Sequence, residues 1–447
     1  MMCGAVLLLL VPALVFFAAL WKTAFQLPLA DDYDAILSFI NVVRQTPSLP
    51  AKLVYAVTVE HNGYKLIFEN AVTLIQYALR GQVYFLPLVA LGDSFALFIF
   101  LVTCSLSQVS PGDVARRLLL LAPVAFLVFQ LQYASALNFA SCSLQQLPVI
   151  FFSFLSVLLL TRFTRLSLVG SCLALVLAIA SSPNGFFVVP VGFILLAQMR
   201  RWRQMPSWLC VAAVMVGVYA FRYHHMISEK LPAGSTPGRS HINIVYAFSF
   251  LGSSAARYLS IGPSLTLGLA LVALFCLAAG RRYFTRNPAI FYCMLFIIIN
   301  SIAVSGLRSD QGLAQSLASR YRMYSNLLLA LSYMYLLEDL LPLVKSVTVR
   351  RAFLVAALIF SAAFCALSDI AGARFLAEKK DAVTMEFAAQ WRSPPAGTAA
   401  SNESASPALA KQNPAFARQL DAGVFDPDLG VLRESVRLGV YTPPTRP

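Results

Sequence analysis

Apolar residues in this chain come in long runs separated by short polar stretches, without the strict alternation of a half-buried strand. Runs near the ~20 residues that cross ~30 Å of hydrocarbon predict membrane helices. The spans predicted are Gly4–Trp21, Tyr84–Leu106, Leu118–Tyr133, Ser141–Leu160, Leu166–Ala180 and Gly185–Met199, followed by Trp208–Phe221, Leu265–Ala279, Ile290–Leu307, Tyr324–Leu343 and Ala352–Leu367. Several are short, so they borrow flanking residues or one pair re-enters the membrane. The cluster Ser181-Ser182-Pro183-Asn184-Gly185 marks a turn between two apolar halves. The first run has no basic segment before it and is read as an uncleaved anchor. The predicted fold class is all-α: a polytopic membrane bundle of about eleven transmembrane helices.

Composition agrees with that pattern. Of 447 residues 59% are hydrophobic and 12% charged, and the mean hydropathy is +0.72, whereas a soluble chain carries roughly 25% charged residues. This excludes a cytosolic enzyme and a secreted disulfide scaffold, and the long runs exclude a porin-type barrel. The net charge of +14 first invites a polyanionic partner. Its distribution removes that reading. Thirteen of the 34 basic residues, from Arg116 to Arg351, fall in the turns after the second, fourth, sixth, eighth and tenth runs, against only Asp113, Glu338 and Asp339. This is the positive-inside signature. It predicts a cytoplasmic N-terminus, an outward C-terminal tail and no nucleic-acid partner. Eight scattered cysteines have no metal or redox spacing and are read as small buried hydrophobes.

Polar chemistry then gathers in the outer segments. They comprise a first loop over 26–83, a loop over 222–262 containing His224, His225 and His241, a loop over 308–323, and a tail over 368–447. The membrane domain is therefore drawn as 1–367, with its first outer loop as the candidate catalytic segment. The tail opens with a charged helix, Ala371–Arg392, passes through a Pro/Ala/Ser linker at 393–407, and ends with Val431, Leu432, Val436 and Leu438 at helical spacing.

Asp31-Asp32-Tyr33-Asp34 is the densest constellation. Three carboxylates within four residues repel one another, which raises at least one pKa and suits a general base or a cation site. Ile36, Leu37, Ile40 and Val43 follow as an apolar stripe, predicting an interfacial helix at headgroup height. An acidic helix start favoured by the helix dipole is the competing reading. Glu60-His61-Asn62-Gly63-Tyr64-Lys65 packs an acid, an imidazole, an amide and an amine into six residues, with Gly63 permitting a tight turn. Its His61 suits a metal or a sugar hydrogen bond and its Lys65 a phosphate, while a solvated turn is the plain alternative. A second apolar face follows in Leu66, Ile67, Ala71, Leu74, Ile75 and Ala78. Ser319-Arg320-Tyr321-Arg322, with Arg308 upstream, faces outward against the charge rule, so it anchors to headgroups or binds a specific phosphate. Gln130, Gln132, Asn138, Gln145 and Gln146 line helix ends, where they bond a sugar or one another. Asp93 stands nearly alone as an ionisable residue inside a span. No Walker loop or dinucleotide fingerprint occurs. Asp32-Tyr33-Asp34 matches a D-x-D pattern, but it lies on the side without nucleotide sugars.

This plan resembles the GT-C superfamily of integral membrane glycosyltransferases, and Asp31-Asp32-Tyr33 is similar to the Asp-Asp pair of its arabinofuranosyltransferase branch. A further resemblance is to bacterial membrane proteins with a His-Asn-x-x-Arg-like stretch and a late Ser-Arg-Tyr, here His61-Asn62-Gly63-Tyr64-Lys65 and Ser319-Arg320-Tyr321. Lys65 departs from the Arg of that pattern. The resemblance implies a polyprenyl-phosphate sugar donor and a glycan, lipid or protein acceptor at the outer face of a bacterial inner membrane. Asp31 or Asp32 would deprotonate the acceptor with inversion. Arg320, with Arg308, Lys65 and Tyr321, would hold the donor phosphate, and Glu60, His61 and Asn62 would contact acceptor or sugar. A divalent cation (Mg or Mn) would rest on Asp34 and His61, with Glu60 beside them, although some members need none. Two rivals stand beside this: a transporter or flippase of lipid-linked sugars using Asp93, and a non-enzymatic envelope assembly protein using its tail as a docking arm.

Overall fold

The computed structural model describes residues 2–109, 112–162, 164–223, 242–256, 261–392 and 428–444. His224, His225, His241 and the 393–407 linker lie outside them. Of the described residues 82% are helical and none lies in a strand. In chain order the helices are α1 Met2–Thr23, α2 Phe39–Gln45, α3 Leu49–Thr58, α4 Ile67–Arg80, α5 Phe85–Leu106, α6 Val114–Val128, α7 Ala140–Leu160, α8 Arg165–Ser181 and α9 Val188–Gln198. They continue as α10 Met205–Ala220, α11 Ile244–Leu251, α12 Ile261–Gly280, α13 Tyr283–Arg286, α14 Pro288–Arg308, α15 Arg322–Tyr335, α16 Val347–Arg392 and α17 Leu429–Arg437.

Among the described residues eight helices are long and apolar enough to cross a membrane: Met2–Thr23, Phe85–Leu106, Val114–Tyr133, Ala140–Leu160, Ile261–Gly280, Pro288–Gln311, Ser319–Leu343 and Val347–Ala388. The chain is thus built as a multi-pass membrane protein. Three other predicted spans fall on shorter apolar helices, Arg165–Ser181, Pro183–Gln198 and Met205–Ala220. Serines and glycines let the long helices approach closely. A Cβ added to Gly92 of α5 would lie 2.2 Å from Ser143 Oγ of α7, and one added to Gly372 of α16 would lie 2.3 Å from the Leu131 carbonyl oxygen.

The arginine-rich turns share one end of the bundle, where they satisfy carbonyls left open at helix C-termini. Arg201 donates to the carbonyls of Leu160 at 2.8 Å and Thr161 at 3.1 Å. Arg117 donates to those of Cys104 and Ser107 at 3.2 and 3.1 Å. Glu338 accepts from the Ser107 hydroxyl, the Gln108 N–H, the Tyr283 hydroxyl and the Asn287 amide, joining three turns. Gln198 accepts from Tyr292 and donates to the Phe284 carbonyl, adding a fourth.

The opposite end carries a second apolar core, and there the structure departs from the expected loop. Ile36, Leu37, Ile40 and Val43 are buried inside the protein and do not lie free at a lipid interface. They share a cluster with Phe85, Phe387, Leu432, Val440 and Tyr441. Two parts of the tail provide the cover. The last long helix does not stop at Leu367 but continues as α16 to Arg392, carrying Val383 and Phe387 into this core. Past the linker, α17 and the residues after it dock on the first loop. The Val83 N–H donates to the Val440 carbonyl at 2.8 Å, and the Tyr441 hydroxyl to the Gln26 carbonyl at 2.8 Å. Helix α4 is turned inside out, with Glu69, Asn70 and Thr73 buried and Ile75 and Leu79 exposed. Such a face belongs against hydrocarbon, with its polar side meeting buried partners.

Two outcomes test this packing. Tyr441→Ala should cost about 3–5 kcal/mol of stability by emptying a filled site, seen as a lower melting temperature and faster proteolysis of 26–83. Gly372→Ala should cost about 1–3 kcal/mol because the Leu131 backbone is rigid, whereas Gly217→Ala, with nothing within 4 Å of its added Cβ, should leave melting unchanged or slightly raised. Equal melting of the two glycine variants would contradict the close approach.

Candidate functional site

The Asp31-Asp32 pair is divided by a turn. Ala30 adopts φ 45°, a left-handed conformation strained for a non-glycine residue, and the Asp32 N–H donates to the Leu29 carbonyl at 2.9 Å. The two carboxylates therefore face different ways. Asp32 is 1% exposed; its Oδ2 accepts from the Leu29 N–H at 3.0 Å and its Oδ1 from the Ser141 N–H at 2.8 Å. Ser141 is the second residue of α7, whose own N-cap, Phe139, has no side-chain acceptor. Asp32 thus caps a helix from a distant part of the chain and welds the first loop to the bundle. Asp31 remains about half exposed.

Asn62 and Gly63, at φ 50° and 81°, form the left-handed centre of a tight reversal in which His61 and Tyr64 exchange backbone hydrogen bonds at 2.9 and 3.1 Å. This is the turn an Asn-Gly pair favours. It sets His61 between two carboxylates, with Nδ1 2.8 Å from Asp34 Oδ2 and Nε2 3.5 Å from Asp31 Oδ1. The Asn62 amide lies 2.9 Å from Nε2 and 3.4 Å from Asp31 Oδ1. On the other side of the reversal, Tyr64 bonds Gln145 and lies within the electrostatic reach of Asp31, Arg308 and Arg320. Arg320 stacks 5.3 Å from the ring of buried Tyr321, and its charge also acts on Asp31. Two loops about 250 residues apart in sequence therefore come within electrostatic reach of one another.

Not every predicted site residue joins it. Lys65 is fully buried, and its ammonium donates to the carbonyls of Val218 and Phe221 at the end of α10. Glu60 lines a cavity of about 30 Å3 with Asp34 and His61, large enough for about one water. Gln130, Gln132 and Asn326 bond one another, and Ser319 donates to the Gln132 carbonyl at 2.9 Å. These amides hold the loops together. Asp93 accepts from the Asn138 N–H at 3.2 Å and so positions the approach to α7.

Charge and burial sort the ionisable groups. Burial pushes Asp31 up, but His61, Asn62 and Arg320 outweigh it and hold its carboxyl below the usual range. Burial, reinforced by the Asp31 charge, raises Asp32 to about 7 despite its two N–H bonds. Burial opposes protonation of His61, yet hydrogen bonds and charge from Asp31 and Asp34 carry it up to about 9. His61 is consequently held protonated at neutral pH, with Nδ1 on Asp34 and Nε2 between the Asn62 amide and Asp31. A metal ligand must present a bare nitrogen. No group of three or more His, Cys, Asp or Glu side chains among the described residues is arranged to hold a metal. A divalent cation at Asp34, Glu60 and His61 would have to displace that proton.

Two buried residues escaped the sequence reading. Glu69 accepts from the Ser141 hydroxyl at 3.2 Å, and burial, with help from Asp32, raises it to about 8. Lys379 donates to the Leu137 carbonyl at 2.9 Å, and its charge acts on both Asp32 and Asp93. Each had a signal. Lys379 shares a helical stripe with Leu376, Val383 and Phe387, where a solvated lysine would not sit. Glu69, Asn70 and Thr73 form a polar face opposite an apolar one strong enough to claim the lipid.

Asp32, Glu69 and His61 all bind protons more tightly folded than unfolded. The stability they confer is complete at low pH and lost as pH rises through about 7, 8 and 9. The stabilising ionisation of Asp31 is finished well below this window. The melting temperature of the detergent-solubilised protein should therefore fall between about pH 6 and pH 9.5, and a rise across that range would contradict these assignments. No protein-family model matches the sequence, and no curated protein or solved structure matches the chain.

Proposed function

We propose that the chain is an integral membrane glycosyltransferase that moves a monosaccharide from a polyprenyl-phosphate donor to an acceptor glycan, lipid or protein. The observation that carries this reading is the Asp31–His61 pair within electrostatic reach of Arg320, with Arg308 acting on the adjoining Tyr64, at one end of an apolar bundle. Transfer from a lipid phosphate needs an ionised base and a cationic phosphate cradle at the membrane surface, and this cluster supplies both. Asp31 suits the base better than Asp32 because its carboxylate is ionised and half exposed, whereas both Asp32 oxygens are taken by backbone N–H groups.

In the proposed step the acceptor hydroxyl gives its proton to Asp31 as its oxygen bonds the anomeric carbon with inversion. The bond from that carbon to the phosphate oxygen breaks, and polyprenyl phosphate leaves with the electron pair, its charge held by Arg320 and Arg308. The imidazolium of His61 keeps Asp31 ionised and oriented. Asn62 and Tyr64 edge the same cluster and suit contacts to hydroxyls of sugar or acceptor. In this reading the three shorter apolar helices also cross, making eleven. The arginine-rich turns face the cytoplasm of a bacterium, the N-terminus is inside, and the site and C-terminus face the periplasm.

General-base removal costs about 10²- to 10⁴-fold. Asp31→Asn should lower transfer by that factor in isolated membranes, measured as consumption of polyprenyl-phosphate-linked sugar, at unchanged membrane abundance. Asp32→Asn should lower melting temperature and activity together. Full activity in Asp31→Asn would sink the proposal. The rate should also decline as pH rises through about 9, where His61 loses the proton that bridges Asp31 and Asp34. His61→Gln should have a lower rate at neutral pH.

A further inference from the structure

The end of the bundle opposite the Asp31 cluster holds a cavity of about 700 Å3 between α6, α13, the turn after α15 and the first turns of α16. Four arginines line it, Arg116, Arg286, Arg350 and Arg351, and the one carboxylate in its wall is Glu338. That carboxylate is already occupied. Glu338 Oε1 accepts from Ser107 at 3.2 Å and Gln108 at 2.7 Å, and its Oε2 from Tyr283 at 2.7 Å and Asn287 at 2.9 Å. The nearby acid, Asp339, is 3% exposed and shared by Arg281 and Arg286. Among the described residues the guanidinium groups of Arg116, Arg350 and Arg351 have no acidic partner.

Headgroup attraction explains arginines scattered over a membrane-facing surface. It does not explain several converging on one concavity whose acids are spent on structural bonds. Like charges gathered at a cavity repel unless an anion sits among them, and guanidinium groups match phosphate geometry. Another part of the wall is aliphatic, formed by Leu120, Leu337, Leu341 and Leu354, beside the polar Gln108 and Asn287. A site with a basic rim and an aliphatic wall fits a phosphate with hydrocarbon attached. Basic pockets between membrane helices are known settings for anionic headgroups.

We propose that this cavity binds the phosphate group of an anionic amphiphile, at a site separate from the Asp31 cluster and independent of the transfer reaction. The test uses the full-length protein in micelles, with short-chain phosphatidylglycerol as the anionic probe, phosphatidylcholine as the zwitterionic control and inorganic pyrophosphate as a soluble competitor, read by native mass spectrometry. The double variant Arg350→Gln/Arg351→Gln removes two surface-accessible charges without touching Glu338 or Asp339. At ~1 kcal/mol per basic residue near a membrane surface, it should bind phosphatidylglycerol about 30-fold more weakly. Arg165→Gln/Arg203→Gln, which removes two exposed arginines outside the cavity, should bind as the parent does. Phosphatidylglycerol binding unaffected by pyrophosphate assigns the site to a lipid headgroup. Stoichiometric competition assigns the same site to soluble phosphate compounds. Equal binding of phosphatidylglycerol and phosphatidylcholine, or an equal loss in the two double variants, overturns the proposal.

Discussion

One buried carboxylate determines how the acidic end of this protein is put together. Asp32 accepts an N–H from the Leu29 turn and another from the first turn of α7, and both are donors that burial would otherwise leave costly and unpaired. Once that clamp is closed, the neighbouring Asp31 must face outward, and the stripe from Ile36 to Val43 must enter the protein. The chain then needs apolar cover for that stripe. It finds it in the far end of α16 and in Leu432, Val440 and Tyr441. A segment that opens the sequence and one that closes it are thereby joined in one core.

The bilayer accounts for the rest of the arrangement. Apolar helices leave little room for ionisable groups at depth, so polar chemistry collects at the two ends of the bundle. At one end arginines close helix C-termini and surround a basic cavity. At the other, carboxylates pair with an imidazolium within electrostatic reach of two arginines. The buried exceptions support this division, since Asp93, Lys379 and Glu69 all lie near the acidic end and bond to the segments that build it.

Much of this was legible in the sequence. Run length located the long helices, and the Asn62-Gly63 pair announced the reversal that presents His61. The arginine-rich turns do gather at one end. Four things were not legible. The amphipathic stripe at Ile36–Val43 has the same pattern whether lipid or protein covers it, so periodicity alone could not show that the tail would do so. The charged start of the tail concealed a continuous helix, because Lys379 and Glu386 look solvated until their stripe-mates are counted. Adjacent aspartates look equivalent in sequence, whereas a turn at Ala30 gives one to the backbone and the other to the surface. The approach of Arg320 to Asp31 is a tertiary event with no local signature.

The central claim is that the Asp31 cluster consumes a lipid-linked sugar at the outer face. Leaflet-resolved mass spectrometry of polyprenyl-phosphate lipids, from cells with and without this protein, tests it most directly. The account predicts that a polyprenyl-phosphate monosaccharide accumulates in the outer leaflet when the protein is absent. Accumulation confined to the inner leaflet, or none at all, would contradict it.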